Sequence, residues 1–299
     1  MKKCYKIQLL ATLSFILLLP NTKGWGEDGH AIVCRIAQVT NDFPSSSRLS
    51  DSAADAVKNL LPKYAQNDLG SVCSWADRVR FYLHWSSALH FADTPDKLCN
   101  YHFDQLSENS GDCKDQDGEK GRCVVGAIKN YTDQLLGYGK DTQYNLTQAL
   151  LFLSHFMGDV HQPLHVGFTS DKGGNLINIH WYRRKQNLHH VWDVNIIETA
   201  EERFYDSDIN GFTKAIQENI TKTWSDQVRG WETCNSKETT CPDIYASEGI
   251  EAACKWAYKD APEGSVLEDD YFLSRLPEVS LRLAQGGVRL AATLNRIFG

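Results

Sequence analysis

One strongly apolar segment constrains this chain most, because it carries two groups that do not belong in an apolar core. Residues Leu146–His161 follow helical spacing and are rich in Leu and Phe, which predicts a buried helix that Pro163 ends. His155 and Asp159 are four residues apart, so they project from one face of that helix. Burying an imidazole and a carboxylate is costly unless a partner replaces the lost water. We therefore expect a core built around a polar centre.

Two explanations fit this pair when it is taken alone, namely a buried hydrogen bond between His and Asp, or a metal ion. The surrounding sequence favours the metal. His189 and Asp193 repeat the four-residue spacing, and His165 follows shortly after the apolar segment. Asp77 lies on another predicted helix, ahead of His90. Imidazole and carboxylate suit zinc, and two paired sites close together are typical of a two-metal hydrolase.

The first 24 residues have the pattern of a secretory signal peptide. A basic start with three lysines is followed by the apolar run Leu9–Leu19, then by Pro20 and the small residue Gly24. The run is too short to span a bilayer, which needs roughly 20 residues. We therefore expect no membrane association, and a mature chain of residues 25–299 that is secreted to the cell exterior or the vacuole. Trimming of its C-terminal end is left open.

The charge of the mature chain limits how it could bind a polyanion. Residues 1–24 hold four lysines and no acids, so 27 basic and 38 acidic residues remain, a formal charge of −11. Affinity for phosphate backbones normally comes from Lys and Arg. Duplex binding through a basic surface is therefore not expected, and metal ions would have to supply the positive charge for a polyanionic substrate.

Eight cysteines remain after residue 24, and an even number in an exported chain predicts four disulfides. Cys113 with Cys123, and Cys234 with Cys241, have the spacing of local loop staples within polar segments. The spacing does not settle the pairing of the other four cysteines, which are Cys34, Cys73, Cys99 and Cys254. Glycosylation sequons at Asn130, Asn145 and Asn219 agree with export.

The pattern of the rest of the chain predicts mainly helices joined by polar loops. We therefore expect an all-α fold with a small β-hairpin, in a single domain of residues 25–299. The hairpin signal is Leu176–Tyr182, where apolar residues alternate after the turn Asp171–Gly174. Besides the apolar segment, the predicted helices are His30–Gln38, Asp51–Leu61, Leu69–Phe81, Val124–Leu136, Gly211–Val228, Ser247–Tyr258 and Leu281–Phe298.

Six segments, in order and with matching spacing, resemble the zinc-dependent single-strand nucleases of fungi and plants. The resemblance is strongest to the plant members, called bifunctional nucleases or type I endonucleases, and it runs from Trp25 almost to the C-terminus. The segments are Trp25 with His30, Trp75–Asp77, Leu89–Phe91, Phe152–His165, Gly173–Asn175 and Asn187–Asp193. This resemblance implies the mostly helical fold that the family shares with zinc phospholipase C.

The resemblance also implies three zinc ions. The first would be held by Asp77, His90, His155 and Asp159. The second would be held by His165, His189 and Asp193, with positions left open for water. The third would be held by His30, by Asp159 as a bridge, and by the amine and carbonyl of Trp25, which must therefore be the first residue of the mature chain.

The implied activity is hydrolysis of single-stranded DNA and RNA to 5′-nucleotides, with 3′-nucleotidase activity as a further possibility. The resemblance gives Asp77 and Asp159 catalytic roles through a zinc-bound water that attacks phosphorus as hydroxide. Phe91 would stack on an unpaired base and Asp93 would hydrogen-bond to it. No stable protein partner is implied, so we expect a monomer.

Two other functions compete with this one. A zinc phospholipase C would share the fold and the metal cluster, but it needs an apolar surface for lipid where Phe91 and Asp93 suit a nucleobase. A catalytically silent, zinc-binding secreted glycoprotein would also bind the metals, although every expected ligand is intact. His161 has no place in the ligand set, and we assign it the role of orienting a ligand carboxylate.

Overall fold

The computed structural model describes residues 25–38, 48–101, 113–115, 117–234 and 238–299, so the predicted signal peptide lies outside the described residues. The α-helices are α1 Glu27–Ala37, α2 Asp51–Leu60, α3 Trp75–Val79, α4 Val124–Leu135, α5 Leu146–Asp159, α6 Leu188–His190, α7 Ile196–Phe204, α8 Ile209–Thr221, α9 Val228–Glu232, α10 Pro242–Ala252 and α11 Asp269–Phe298. Short 3-10 turns cover Lys63–Ala65, Gly70–Val72, His84–His90 and Pro163–Val166, and π-helical turns cover Val191–Asn195 and Ala253–Ala257.

Helix α5 is the centre of the fold. The side chain of Asn145 caps it by accepting the Gln148 N–H, and every residue from Ala149 to Asp159 is buried. Helices α1, α2, α3, α4 and α11 all pack against it. The Phe152 and Phe156 rings stack on one side, with centroids 5.4 Å apart, and burying each contributes about 2–3 kcal/mol. The all-α prediction is therefore confirmed, with α5 as its core helix.

Three short strands form one sheet beside this core. Strand β1 (Asn178–Trp181) pairs antiparallel with β2 (Arg184–Asn187) and parallel with β3 (Val266–Leu267). The predicted hairpin exists, but its turn is Tyr182–Arg183. The segment Asp171–Gly174 precedes the sheet and does not connect two strands.

Two predicted helices were too long, and in each case side chains compete for the backbone. Between 69 and 81 the chain forms a 3-10 turn and then α3, because Asp68 accepts the Gly70 N–H and Ser71 donates to the Asp68 carbonyl. Helix α8 ends at Thr221, whose hydroxyl donates to a carbonyl of the preceding turn, and α9 follows separately.

One helix is longer than predicted, and another was not predicted at all. Helix α11 begins at Asp269 rather than Leu281 and runs through Pro277, with two acids in its first turn that favour a helix N-terminus. Helix α7 was not predicted, although Ile196, Ile197 and Ala200 are buried on one face of it. The remaining predicted helices match the structure to within a few residues, except that Ser247–Tyr258 spans the end of α10 and the π-helical turn after it.

Four disulfides connect the eight cysteines of the described chain, as their even number predicted. The two local staples, Cys113–Cys123 and Cys234–Cys241, are confirmed. The other bonds are Cys34–Cys73 and Cys99–Cys254. Cys34–Cys73 joins α1 to the segment before α3, so it ties together two elements that carry candidate ligands.

Within the described part of the chain, no helix combines the length and the apolar character that crossing a membrane requires.

Candidate metal centre

Asp159, at the last turn of α5, is the hub of a buried His and Asp cluster. Its Oδ2 lies 3.0 Å from His90 Nδ1 and 3.2 Å from His155 Nε2. Its Oδ1 lies 3.4 Å from His30 Nε2 and 3.5 Å from His165 Nδ1. The two oxygens of one carboxylate therefore face two different sets of imidazoles, which is the arrangement of a bridging ligand.

His155 is oriented so that a lone pair points into the cluster. Its Nδ1 donates to the Cys73 carbonyl at 2.8 Å, so in the neutral ring the lone pair is on Nε2. That Nε2 lies 3.1 Å from His90 Nδ1 and 3.8 Å from Asp77 Oδ1. Asp77 comes from α3 and is itself 3.7 Å from a guanidinium nitrogen of Arg80. Acceptor atoms that converge in this way need a cation between them.

A second group forms where the turn after α5 meets α6 and the π-helical turn Val191–Asn195. His165 Nδ1 donates to the His90 carbonyl and His189 Nδ1 donates to the Gly173 carbonyl, both at 2.6 Å. The Nε2 atoms of these two rings then face each other at 3.2 Å, and His189 Nε2 is 3.3 Å from Asp193 Oδ2. In neutral rings that donate through Nδ1, neither Nε2 carries a proton, so these lone pairs repel unless a cation lies between them.

The spacings within both groups fit zinc. Two atoms that each lie about 2.0–2.1 Å from one tetrahedral zinc ion are about 3.3 Å apart, and the closest ligand-atom pairs lie at 3.0–3.3 Å. Several buried atoms of the cluster have no hydrogen-bond partner within the part of the chain that the structure describes, namely Nδ1 and Nε2 of His30, Oδ1 of Asp77, Nε2 of His90 and Oδ1 of Asp159. Uncompensated polar atoms in a core are expensive. The residues present therefore fit bound metal ions.

Among the described residues, three sets of ligand atoms lie close enough to hold an ion, with all atoms of a set within 4.8 Å of one another. These sets are His30 with His155 and Asp159, Asp77 with His90 and His155, and His165 with His189 and Asp193. All eight side chains predicted as metal ligands are therefore brought together and buried.

His30 reaches the cluster because α5 has no side chain at residue 158. A β-carbon on Gly158 would lie 2.6 Å from His30 Nδ1, closer than any real contact of this kind. The ring of His30 instead stacks on His155 with centroids 3.9 Å apart. Trp25, five residues before His30 in the sequence, is fully buried, and its indole Nε1 has no hydrogen-bond partner among the described residues. Trp25, the first of the predicted metal ligands along the chain, is therefore buried in the protein core.

The ionisation of the cluster favours metal binding. Burial, reinforced by His155, lowers the pKa of His30 to about 4. Burial, reinforced by His165, lowers the pKa of His189 to about 3. Burial acts against ionisation of Asp159, but His155 and His165 outweigh it and hold the pKa of Asp159 well below its usual range. The neutral rings of His30 and His189 and the ionised carboxylate of Asp159 are the forms that ligate zinc. The charges of Asp159 and Asp77 outweigh burial and raise the pKa of His155, so a metal ion bound there would displace a proton from that ring.

Asp193 behaves differently from Asp159. Burial, together with the charges of Asp77 and Asp159, raises the pKa of Asp193 well above its usual range. Gln162 opposes this shift, because its side-chain Nε2 donates a hydrogen bond to Asp193 Oδ1. Burial next to other acids thus favours the protonated form of Asp193, as expected when several acids share a buried space.

The two residues predicted to bind a base lie directly beside the cluster. Phe91 follows the ligand His90, and both Phe91 and Asp93 are half-buried. The backbone N–H of Ala92, between them, donates to the His165 carbonyl at 2.8 Å. This hydrogen bond holds the base-binding segment against the turn that carries His165.

Asp93 lies outside the cluster, where the charge of a neighbouring acid influences it. Burial and then the charge of Asp171 raise the pKa of Asp93, while Lys172 opposes the shift. A carboxyl that retains its proton at higher pH can donate a hydrogen bond as well as accept one.

Two residues near the ligands were missed or wrongly placed from the sequence. His161 does not orient a ligand carboxylate: its Nδ1 donates to the Met157 carbonyl at 2.7 Å, and Arg289 donates to its Nε2 at 3.0 Å. That prediction was wrong because α5 ends at Asp159 and His161 turns toward α11. Gln162 instead contacts the carboxylate of Asp193, a predicted ligand, and its closeness to His165 was the one signal in the sequence that could have identified it.

The three sequons remain predictions of glycosylation. Asn130 and Asn145 are exposed, whereas Asn219 is half-buried within α8. Asn145 also caps α5 through its side-chain oxygen.

A helical fold with a buried carboxylate shared between sets of imidazoles defines a class of multi-metal hydrolases. Comparison with known proteins identifies the family within that class. The profile of the family described as S1/P1 Nuclease matches residues 25–299, so the chain belongs to the S1/P1 nuclease family and is a nuclease.

Named relatives agree with this assignment. The chain is 59% identical to Endonuclease 2 of Arabidopsis thaliana over 302 residues, which cover 100% of this chain and 99% of that protein. It is 31% identical to Nuclease P1 of Penicillium citrinum, covering 92% of this chain and 98% of the relative. It is 30% identical to Nuclease S1 of Aspergillus oryzae (strain ATCC 42149 / RIB 40), covering 96% and 95%.

Proposed function

We propose that this nuclease is a secreted, zinc-dependent endonuclease that hydrolyses single-stranded DNA and RNA to 5′-nucleotides and also acts as a 3′-nucleotidase. The observation that carries the proposal is the division of the Asp159 carboxylate, whose Oδ1 and Oδ2 face separate sets of imidazoles. A carboxylate placed in this way would serve two metal ions, and paired metal ions are one arrangement by which enzymes hydrolyse phosphodiesters.

Nine residues supply the proposed ligands for three zinc ions. The first site consists of Asp77, His90, His155 and Asp159, and the second of His165, His189 and Asp193. The third consists of His30, Asp159 and the backbone amine and carbonyl of Trp25. Four-residue spacing on α5 supports the first site and the facing Nε2 atoms of two histidines support the second. The burial of Trp25 next to the turn that leads to His30 supports the third.

Zinc bound there would act as a Lewis acid, activating water and polarising the phosphodiester group. The protein's own part is to fix the ligands and to provide charge. Asp77 and Asp159 are the proposed catalytic carboxylates, because both place an oxygen within 4 Å of the imidazoles at the centre of the cluster. Backbone carbonyls, such as that of Cys73, hold the imidazoles in one orientation. Few ligand movements are then needed during the reaction.

Selection of single strands is assigned to Phe91 and Asp93. An unpaired base exposes its face for stacking on the Phe91 ring, whereas a paired base is stacked within the duplex. Asp93, with its raised pKa, can exchange hydrogen bonds with the edge of that base. The mature chain has no excess of basic residues to bind a duplex backbone, with 38 acidic residues in the full sequence against 31 basic ones.

The remaining parts of the proposal concern the form of the mature protein. Residues 1–24 act as a signal peptide, cleavage after Gly24 frees Trp25, and the protein is a monomer that reaches the cell exterior or the vacuole. The match of the family profile from residue 25 onward supports this boundary. Four disulfides among the described residues support an oxidising compartment.

One assay separates this function from its two competitors. The zinc-loaded mature protein is incubated in parallel with single-stranded DNA, single-stranded RNA, duplex DNA and phosphatidylcholine vesicles. We expect 5′-nucleotides from the single strands, far slower release from the duplex, and no headgroup release. Headgroup release without nucleotides would establish a phospholipase C, and no turnover of any substrate would establish a silent zinc-binding protein.

A further inference from the structure

Gln162 is a fully buried glutamine between two segments that carry candidate ligands. Its side-chain Nε2 donates a hydrogen bond to Asp193 Oδ1, and its side-chain Oε1 accepts the Leu164 N–H at 2.5 Å. Its backbone carbonyl accepts the His165 N–H at 3.0 Å. One residue thus contacts the backbone of one ligand, His165, and the carboxylate of another, Asp193.

The orientation of the Gln162 amide is not free. A backbone N–H can only donate, so Leu164 must face the amide oxygen, and the NH₂ group is left to face Asp193. The contact with Asp193 is therefore a donation to the carboxylate and not a contact between two oxygens. Both polar ends of this buried side chain are satisfied, as a stable core requires.

This hydrogen bond distinguishes the two oxygens of Asp193. Oδ1 accepts from Gln162 and lies 3.8 Å from His165 Nε2, whereas Oδ2 lies closer to the cluster, 3.3 Å from His189 Nε2. A carboxylate held by one oxygen cannot rotate without losing that bond, so the other oxygen keeps a single direction. Residues that hold ligands in this way tune metal affinity, and their loss typically costs 10- to 100-fold.

We propose that Gln162 is a positioning residue that holds Asp193 with Oδ2 directed at the metal shared with His165 and His189. The inference rests on the proposed function, because it assigns a metal to these three ligands. It goes further in predicting that one glutamine, which ligates nothing, controls how tightly only one of the three ions is held.

Two substitutions separate this role from a purely structural one. Gln162→Met fills the same space but loses both side-chain hydrogen bonds. Gln162→Glu keeps an oxygen for the Leu164 N–H and loses the donor to Asp193. If Gln162 acts only by stabilising the turn through Leu164, the Glu variant retains zinc as the wild type does. If it acts through Asp193, both variants lose zinc.

Gln285→Met is the matched control, because Gln285 is also buried and accepts a hydrogen bond at 2.7 Å from Arg282, which is not one of the proposed ligands. Each protein is loaded with zinc, counted by native mass spectrometry, and then mixed with a chelator while zinc release is followed. Circular dichroism after each step checks that the chain remains folded.

We expect one of three ions to leave about 10- to 100-fold faster in both Gln162 variants, with the other two and the control unchanged. Wild-type release rates in Gln162→Glu would overturn the inference, as would equal acceleration of all three ions. A wild-type protein that binds no zinc at all would instead refute the proposed function, so the two failures are distinguishable.

Discussion

The backbone N–H of Gly26 donates to the carbonyl of Asp193 at 2.7 Å. This bond fixes the segment after Trp25 onto the same turn that carries a ligand of the second proposed site. The Gly26 carbonyl in turn accepts the His30 N–H at 3.1 Å, which starts α1. The position of Trp25 and that of His30 are thus set by one residue, and the proposed third site depends on that geometry.

Extra residues before Trp25 should remove the third zinc. Only a chain that begins at Trp25 offers a free amine, which forms a five-membered chelate ring with its own carbonyl. A protein that retains Gly24 has an amide nitrogen there instead, so we expect a folded protein with two zincs and much lower activity. Native mass spectrometry of both forms, after the N-terminus of each is verified, measures the difference. Three zincs and full activity in the extended form would refute the chelate.

Asp159→Asn should cost more zinc than Asp193→Asn. Asp159 faces four histidines through two oxygens, whereas Asp193 faces two. An amide carries no charge to balance two dications, so we expect Asp159→Asn to lose at least two ions and Asp193→Asn about one. Elemental analysis by mass spectrometry gives the counts. Equal zinc in Asp159→Asn and wild type would contradict the bridging role.

Phe91→Ala should weaken binding of single strands while leaving zinc content intact. Loss of one stacked base costs about 1–3 kcal/mol, so the Michaelis constant for single-stranded DNA should rise roughly 5- to 150-fold. The preference for single strands over duplex should also narrow. Phe204→Ala is a suitable control, because Phe204 is 52% exposed but lies at the end of α7, outside the predicted base-binding segment. An unchanged Michaelis constant would exclude Phe91 as the stacking surface.

Glu201 should make the fold less stable as pH rises. It is 8% exposed, no described residue forms a hydrogen bond with its Oε1, and burial with the charges of Asp28, Glu198 and Asp208 raises its pKa to about 7. Because the pKa is raised in the folded protein, the favourable contribution of the protonated carboxyl to folding stability is fully present below pH 4.5, the usual pKa of this group. That contribution is lost as pH rises through about 7.

Glu201→Gln should therefore raise Tm at pH 8 by roughly 2–6 °C and leave it unchanged near pH 4. Thermal melts of both proteins between pH 4 and pH 8 measure this window. The neighbouring Glu202→Gln is the matched control, since it removes the same charge from an exposed side chain and should leave Tm unchanged at both ends of this range. A gain that is the same at both pH values would rule out ionisation of Glu201 as its cause.

The sequence was most informative where spacing alone determines contact. His155 and Asp159 had to share one face of α5, and His189 and Asp193 share the same spacing across α6 and the π-helical turn after it. The burial of α5 followed from its composition. These features are local, because a helix places residues four apart on one side regardless of the rest of the fold.

The features of the site that could not be predicted from the sequence depend on contacts between distant segments. The Cys73 carbonyl determines which ring nitrogen of His155 carries the lone pair, and the Gly173 carbonyl does the same for His189. A backbone carbonyl has no signature in the sequence. The predicted contact between His161 and a ligand carboxylate was wrong for the same reason, because the orientation of the His161 ring depends on Arg289 of α11, 128 residues away.

Anomalous diffraction from crystals of the mature protein, measured on both sides of the zinc absorption edge, tests the metal centre most directly. We expect three peaks, one beside Asp77 and His90, one between His165 and His189, and one beside His30 at the free N-terminus. Asp159 should lie between the first and the third. Crystals grown with zinc that show no peak in this cluster, with the same side chains joined only by hydrogen bonds, would contradict the account.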